Sequence, residues 1–290
     1  MIRIDHAWRT ANPLPAGVSG ADKNERGRVF AVGGSRRVPG ALGLTAQAVL
    51  RVGAGKVRMG TIEAAAIPLG LAMPEAGVIA LREGKDGELS PDAVDDINAQ
   101  LETCEAFVFG PGMGGRSGVD ALTRRVMAKP RAGLAIVLDA APLACAAGLE
   151  QLIAAHEGRV ILTPHHGEMA YLSGTDEEMI AADPEKAARE AADRFGAIVV
   201  LKDARTIIAA PDGEMLVHDS DAPGLATGGS GDVLAGVIGG LLARGMSPLT
   251  AAGWGVWLHG AAGRAAAEQI GPAGFLAREL LPYLPRLLTL

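Results

Sequence analysis

Residues 28–59 read RVFAVGGSRRVPGALGLTAQAVLRVGAGKVRM, and this stretch decides the fold class. Its ends, 28–32 and 56–59, are short runs of the kind that form strands, and the part between them, 41–52, has apolar residues at helical spacing. Glycines separate the three segments. A strand, a helix and a second strand in this order predict a βαβ unit, whose two strands lie parallel in one sheet.

The same alternation continues along the chain. It predicts further strands at 77–81, 106–109, 134–138, 159–162 and 198–201, a hairpin of 206–209 with 215–218, and helices at 91–101, 118–127, 184–195, 230–243, 248–269 and 275–284. We therefore expect a three-layer, doubly wound α/β fold, a mostly parallel sheet with helices on both faces. Residues 1–27 are predicted to be an irregular N-terminal arm, and residues 28–290 a single domain.

Composition narrows the function. With 27 Lys and Arg against 33 Asp and Glu, the net charge of −6 offers no basic field for a nucleic acid backbone. The apolar fraction of 49% is ordinary for a folded protein, but the chain has 40 glycines and only 3% aromatic residues. Glycines placed after strands indicate a backbone that approaches a ligand closely.

No membrane or secretory role is indicated. The first 15 residues lack the apolar core of a signal peptide, and the longest apolar stretch, 64–73, is interrupted by Pro68 and shorter than the roughly 18 residues of a membrane span. Cys104 and Cys145 have no metal-binding spacing, so we expect two reduced thiols in the core. The sequence predicts a cytoplasmic protein.

The segment ATGGSGDVLAG, residues 226–236, runs from a small-residue loop into an apolar helix. Unobstructed N–H groups and the positive end of the helix dipole attract an anion there. Asp232 would lie in the first turn, where a carboxylate can accept the proton of a hydroxyl that attacks a bound phosphate. Gly229, Ser230 and Gly231 are candidate anion-binding residues, unless Ser230 only caps the helix and Asp232 only complements its dipole.

Polar residues also follow the predicted strands, at the edge of a parallel sheet where ligands bind. His165 and Glu168 are interpreted as ligand contacts rather than zinc ligands, although Glu168 could serve only a helix start. Asp139 could hold Mg²⁺ or a substrate hydroxyl.

Two more features leave alternatives open. Lys202 could pair with nucleotide phosphates or with its neighbour Asp203, and the glycine turn at 110–115 could admit a ligand or be structural. His259 is expected to be a core histidine rather than a ligand. Trp254 and Trp257, three residues apart on the same helix, are expected in the core or at a subunit interface.

Together these motifs resemble the ribokinase-like superfamily and, within it, the NAD(P)H-hydrate dehydratases. The resemblance covers about residues 22 to 270. The matching motifs, in family order, are Gly27-Arg28-Val29 with Val32-Gly33-Gly34-Ser35, Pro39-Gly40-Ala41, Arg51-Val52-Gly53-Ala54-Gly55, Gly110-Pro111-Gly112-Met113-Gly114, Thr163-Pro164-His165-His166-Gly167-Glu168, 202–206 and 226–236.

The resemblance implies dehydration of the S epimer of hydrated NADH or NADPH at the expense of ADP or, less expected, ATP. It implies that Asp232 activates the hydrate hydroxyl for phosphorylation and that 229–231 stabilises the phosphoryl charge. The implied nucleotide-binding residues are Lys202, Asp203, Ala204, Arg205, Thr206 and Gly231, and the implied hydrate contacts are Ala41, Gly114, His165 and Asp232. Mg²⁺ and a homo-oligomer, plausibly a tetramer, are also expected.

The sequence departs from the family pattern at three places. Ala141 stands where a second Asp is common, Asp203 replaces a usual Gly, and Asp221-Ala222-Pro223-Gly224 lacks a common Asn. These departures keep two other functions open: a ribokinase-like kinase of another small alcohol, such as a vitamin precursor, and a nucleotide-binding protein that has lost catalysis.

Overall fold

The strand segments of the chain assemble into one mixed sheet in the computed structural model, which describes residues 1–15, 23, 25–114 and 118–289. Within these residues the strands are β1 (Ile2–Arg3), β2 (Arg28–Val32), β3 (Lys56–Ile62), β4 (Gly77–Leu81), β5 (Ala106–Phe109), β6 (Ala135–Leu138), β7 (Val160–Leu162), β8 (Ile198–Leu201), β9 (Arg205–Ala209) and β10 (Met215–Asp219). Their order in the sheet is β1-β10-β9-β8-β7-β6-β5-β2-β3-β4. Every pairing from β8 to β4 along this order is parallel, whereas β9 is antiparallel to both of its neighbours. The predicted mostly parallel sheet and its hairpin are confirmed.

The helices cover both faces of the sheet. They are α1 (His6–Ala11), α2 (Ala41–Arg51), α3 (Glu63–Ala72), α4 (Val94–Leu101), α5 (Val119–Met127), α6 (Ala140–Ala144), α7 (Glu150–Ala154), α8 (His166–Ser173), α9 (Glu177–Ala182), α10 (Pro184–Phe195), α11 (Ser230–Ala243), α12 (Pro248–Gln269) and α13 (Leu284–Leu287). Every residue of β5, β6, β7 and β8 is buried, which requires a helical layer on each side. In one layer α11 packs between α2 and α12. The predicted three-layer α/β fold is therefore confirmed.

The N-terminal arm is not irregular throughout, which corrects the sequence prediction. Residues 2 and 3 of β1 pair in parallel with Leu216 and Val217 of β10. Trp8 of α1 then packs on Trp254, with ring centroids 6.4 Å apart. Both tryptophans of α12 are buried beneath α1, so they are core residues and need no second subunit to cover them. Residues 16–22 and 24 of the arm lie outside the described residues.

The predicted helix at 275–284 is wrong. A single 3-10 turn forms at Ala277–Glu279, and α13 begins only at Leu284. Pro282 lacks the N–H that a continuous helix would need, but the apolar residues around it are still spaced as in a helix. The helix α3 was missed because it is apolar on all sides and contains Pro68, so it shows no amphipathic pattern.

Two smaller expectations are also answered. Cys104 and Cys145 are both reduced thiols, as predicted, and burial raises the pKa of Cys104 to about 11. Among the helices of the described residues, none combines the length and the apolar character needed to cross a membrane.

Close packing of α2 against α11 depends on Gly236. A Cβ built at this position would lie 2.3 Å from the backbone carbonyl oxygen of Thr45, a distance that real Cβ contacts do not reach. Backbone atoms cannot rotate away as a side chain can. The two helices can therefore approach this closely only with glycine at 236.

Gly236→Ala should lower the free energy of unfolding by about 1–3 kcal/mol, because the methyl group must push α2 away from α11. Gly40→Ala is the matched control at the start of α2, where an added Cβ meets nothing within 4 Å and should change stability by less than about 0.5 kcal/mol. Urea unfolding of both variants measures the difference. Equal stability of the two variants would contradict the packing argument.

Candidate active site

Three parallel strands deliver polar side chains to one edge of the sheet. Asp139 follows β6, Thr163 follows β7 and Lys202 follows β8. The Lys202 ammonium lies 3.2 Å from Asp139 Oδ1 and 3.7 Å from Glu168 Oε2. The backbone N–H of Lys202 also donates to the carbonyl of Pro164 at 2.7 Å, which continues the β7–β8 pairing beyond the strands. The expected cluster at the strand ends is present.

Lys202 does not pair with its neighbour Asp203, so that alternative is wrong. Burial alone would lower the pKa of the Lys202 ammonium, but the carboxylates of Asp139 and Glu168 outweigh it and raise the pKa above its ordinary value. Lys202 therefore stays positively charged throughout the physiological range. It is a fixed cation beside the N-terminus of α11, since a Cβ added to Gly231 would lie 3.6 Å from Nζ.

Asp139 is only 4% exposed and is held from two sides. Its Oδ1 accepts hydrogen bonds from Thr163 Oγ1 at 2.8 Å and from Lys202 Nζ at 3.2 Å. The next residue, Ala140, has a φ of 51°, a left-handed conformation that a non-glycine residue adopts only under constraint. Gly110 contributes to this turn, because a Cβ there would lie 1.8 Å from the carbonyl oxygen of Asp139. Gly110 therefore serves a structural turn.

Among the described residues, no three His, Cys, Asp or Glu side chains are grouped closely enough to hold a metal ion. Asp139, the residue expected to hold Mg²⁺ or a substrate hydroxyl, accepts hydrogen bonds from Lys202 and Thr163 at its Oδ1. The residues present therefore do not fit a magnesium ion bound by the protein alone.

His165 and Glu168 form a reciprocal cap at the start of α8. His165 Nδ1 accepts from the N–H groups of Gly167 and Glu168, and the Glu168 carboxylate accepts from the N–H of His165 at 2.9 Å. Glu168 thus serves the helix start and also faces Lys202 at 3.7 Å. Because Nδ1 accepts, a neutral His165 carries its proton on Nε2 and can donate it to a ligand.

Asp232 lies in the first turn of α11, as predicted. Burial raises the pKa of its carboxyl group to about 7, and the negative charge of Asp139 adds to this rise, while Lys202 and the backbone of Gly112 oppose it. The carbonyl of Asp232 accepts from Thr45 Oγ1 of α2 at 3.0 Å. A carboxylate with a pKa near neutrality is suited to accept a proton during catalysis.

Ser230 does not cap α11, so that alternative is wrong. The N-cap residue is Gly229, and no side chain makes a cap hydrogen bond there. Ser230 Oγ instead lies 2.9 Å from Nε2 of His259, on α12. His259 is therefore a hydrogen-bonded histidine packed between two helices rather than a ligand, as expected. Its partner, Ser230, belongs to residues 229–231, which we call the anion loop.

A cavity of about 680 Å³ opens beside this helix terminus. Of the predicted nucleotide-binding and anion-binding residues, Lys202, Asp203, Ala204, Thr206, Ser230 and Gly231 line it, together with His165. The lining also includes the apolar residues Leu225, Leu234 and Val256. A lining that combines a fixed cation with apolar side chains suits the phosphate and the base of a nucleotide.

Other predicted residues lie apart from the cavity wall. The Arg205 guanidinium pairs with Glu185 at 3.6 Å and Asp219 at 3.8 Å on the surface. Ala41 begins α2 close to Gly112, where a Cβ on the glycine would lie 2.8 Å from the Cβ of Ala41. Gly115 of the predicted glycine turn lies outside the described residues.

Sequence reasoning missed two supporting residues. Glu88 is a buried carboxylate whose oxygens accept from the N–H of Gly114 at 3.3 Å, and it follows the edge strand β4, where no motif marks it. The sequence motif around Thr163 does not reveal its role, which is to donate a hydrogen bond from its hydroxyl to Asp139 Oδ1. The sequence signal for this hydrogen bond is a Thr at the end of one strand when the neighbouring strand ends in an Asp.

Comparisons with known proteins agree on one family. The family model described as NAD(P)H-hydrate dehydratase matches residues 29–286. The ADP-dependent (S)-NAD(P)H-hydrate dehydratase of Xanthomonas campestris is 45% identical over 96% of this chain and 93% of its own length. The bifunctional NAD(P)H-hydrate repair enzyme of Moorella thermoacetica is 39% identical over 97% of this chain, which spans only 53% of that longer protein.

A solved structure agrees as well. The ADP/ATP-dependent NAD(P)H-hydrate dehydratase of Bacillus subtilis, co-crystallized with ATP and Mg²⁺, matches with a TM-score of 0.79 and 30% identity, covering 95% of this chain and 94% of that one. A structure from Enterococcus faecalis described as a ribokinase-like superfamily protein matches with a TM-score of 0.83 and 25% identity. Because the family model covers nearly the whole chain, the chain belongs to the NAD(P)H-hydrate dehydratase family.

Proposed function

We propose that this protein dehydrates the S epimer of hydrated NADH or NADPH and uses ADP as the phosphoryl donor. The observation that carries the proposal is Asp232, a buried carboxylate with a pKa of about 7 at the helix terminus where the cavity begins. The substrate is supported by the family, and ADP by the name of the Xanthomonas relative.

The reaction balances in two steps. Asp232 accepts the proton of the hydrate hydroxyl while that oxygen bonds to the terminal phosphorus of ADP and AMP leaves. The phosphorylated hydrate then loses inorganic phosphate and a ring proton, which restores the double bond of the dihydronicotinamide. Phosphorylation turns a poor leaving group into a good one. The N–H groups of 229–231 and the Lys202 ammonium stabilise the transferred negative charge.

The remaining assignments follow the same geometry. We assign the nucleotide to the cavity lined by Lys202, Asp203, Ala204 and Thr206. We assign the hydrate to Ala41, Gly114 and His165 beside Asp232. Asp139 and Glu168 act through Lys202 in this arrangement. Mg²⁺ would arrive with the nucleotide phosphates, and no step here depends on a protein-bound ion. The cytoplasmic location, the homo-oligomer and the division into an arm and one domain stay predictions.

The first experiment supplies chemically prepared hydrate with Mg²⁺ and either ADP or ATP and follows the absorbance of the reduced nicotinamide ring. We expect recovery of NADH and NADPH with release of AMP and phosphate from ADP. A stable phosphorylated product without ring recovery would favour the kinase of another alcohol. Tight nucleotide binding without turnover of any product would favour a protein that has lost catalysis.

Asp232→Asn should lower kcat by about 10²- to 10⁴-fold, because the asparagine cannot accept the hydroxyl proton. In the unaltered protein, kcat/KM should fall as the pH drops below about 7, since Asp232 must be ionised to act as a base. A pH profile from 5 to 9 measures both effects (with about 0.5-unit steps). A flat profile through pH 7 would contradict Asp232 as the base.

Asp139→Asn should move the acid limb of this profile to lower pH, because Asp139 is the charged group that helps to raise the pKa of Asp232. Glu168→Gln is the matched control. It also removes a carboxylate facing Lys202, but Glu168 has no part in the pKa shift of Asp232, so the limb should stay in place. A shift of the same size in both variants would mean that the charge of Lys202, rather than that of Asp139, determines the pH of the acid limb.

A further inference from the structure

His259 reaches from α12 to the first residue of α11. Its Nε2 lies 2.9 Å from Ser230 Oγ and 3.1 Å from the carbonyl oxygen of the same serine. Both residues line the cavity beside the helix terminus, and Ser230 is only 4% exposed. One ring nitrogen therefore contacts two oxygens of one residue in the anion loop.

The carbonyl oxygen decides which way the proton lies. A carbonyl can only accept a hydrogen bond, so Nε2 must carry the proton and donate it. The same N–H then points at Ser230 Oγ, which accepts. A serine hydroxyl that accepts from one side still has its own hydrogen to donate. Within the described part of the chain, Ser230 Oγ makes no other hydrogen bond.

The charge state of His259 supports a positional role. Burial lowers the pKa of its imidazole to about 4. The positive charge of Lys202 lowers this pKa further, whereas the hydrogen bond to the Ser230 backbone raises it by less than burial lowers it. The ring is thus neutral at physiological pH and adds no positive charge for a phosphate. The nearby cation is Lys202, whose pKa is raised.

We propose that His259 is a positioning residue that holds the Ser230 hydroxyl with its hydrogen directed at a phosphate oxygen of the nucleotide. The inference rests on the proposed function, because it places nucleotide phosphate at the N-terminus of α11. Without the histidine, the serine hydrogen can turn to its neighbouring backbone carbonyls and is lost to the ligand. His259 acts through Ser230 and does not itself touch the phosphate.

A double-mutant cycle of His259→Phe, Ser230→Ala and the two together tests this. Each single variant should weaken ADP binding and lower kcat/KM by about 10- to 100-fold, the worth of one hydrogen bond to a charged group. The double variant should be no worse than Ser230→Ala alone, because the histidine has nothing left to position. Losses that multiply, or a Ser230→Ala variant with unchanged binding, would overturn the proposal.

Two further variants separate positioning from folding. His259→Gln keeps an N–H donor near the same place and should recover part of the loss, whereas a role in packing alone predicts no recovery. His218→Gln is the matched control: burial also lowers the pKa of this cavity histidine to about 4, but it makes no hydrogen bond to Ser230. Its losses should multiply with those of Ser230→Ala.

The readouts keep this inference apart from the proposed function. ADP affinity is measured by calorimetry, with circular dichroism confirming that each variant is folded, so the cycle can be completed even if hydrate is never turned over. Absence of turnover with a coupled cycle in ADP binding would reject only the dehydratase function. Turnover with an uncoupled cycle would reject only the role of His259.

Discussion

The close approach of α11 to α2 is the constraint on which the site depends. Because residue 236 is glycine, the backbone of Thr45 can lie closer to α11 than any Cβ at this position would allow. One turn earlier on α11, the carbonyl of Asp232 accepts a hydrogen bond from the Thr45 hydroxyl. The start of α11 is thereby fixed against the carboxyl ends of the strands. Asp232, Ser230 and the anion loop all take their positions from that contact. Part of the glycine richness of the chain therefore serves helix packing that positions the site, rather than direct contact with a ligand.

Electrostatics then divide the roles of the polar groups at this edge of the sheet. One buried ammonium, on Lys202, faces Asp139 and Glu168, which keep it charged. Burial and the negative charge of Asp139 raise the pKa of Asp232 more than the Lys202 cation lowers it, so this pKa is about 7. The same burial thus surrounds a permanent cation and a carboxylate able to exchange its proton near neutral pH. In the proposed reaction, phosphoryl transfer to a hydroxyl uses both groups, the carboxylate to accept the hydroxyl proton and the cation to stabilise the phosphoryl charge.

Much of this architecture could be predicted because parallel strands buried on both faces form continuous apolar runs. The structure confirms both ends of the predicted strands at 28–32, 106–109 and 198–201. The position of Asp232 could be predicted because a glycine-rich helix start has a local signature. The partner of Lys202 could not, because Asp139 lies 63 residues away and only the strand order brings them together. The hydrogen bond between His259 and Ser230 could not be predicted either, because it joins two helices that only the tertiary structure brings together.

The raised pKa of Asp232 also links the activity of the site to its stability. In the unfolded chain the pKa of this carboxyl group is its ordinary value of 3.8, but in the folded protein its pKa is about 7. Between these values the unfolded state releases its proton first, so the contribution of Asp232 to the free energy of unfolding falls as the pH rises. Above pH 7 the folded protein holds a buried negative charge. The protonation state that can accept a proton from the substrate is therefore the less stable one, and the packing of α11 against α2 must offset that cost.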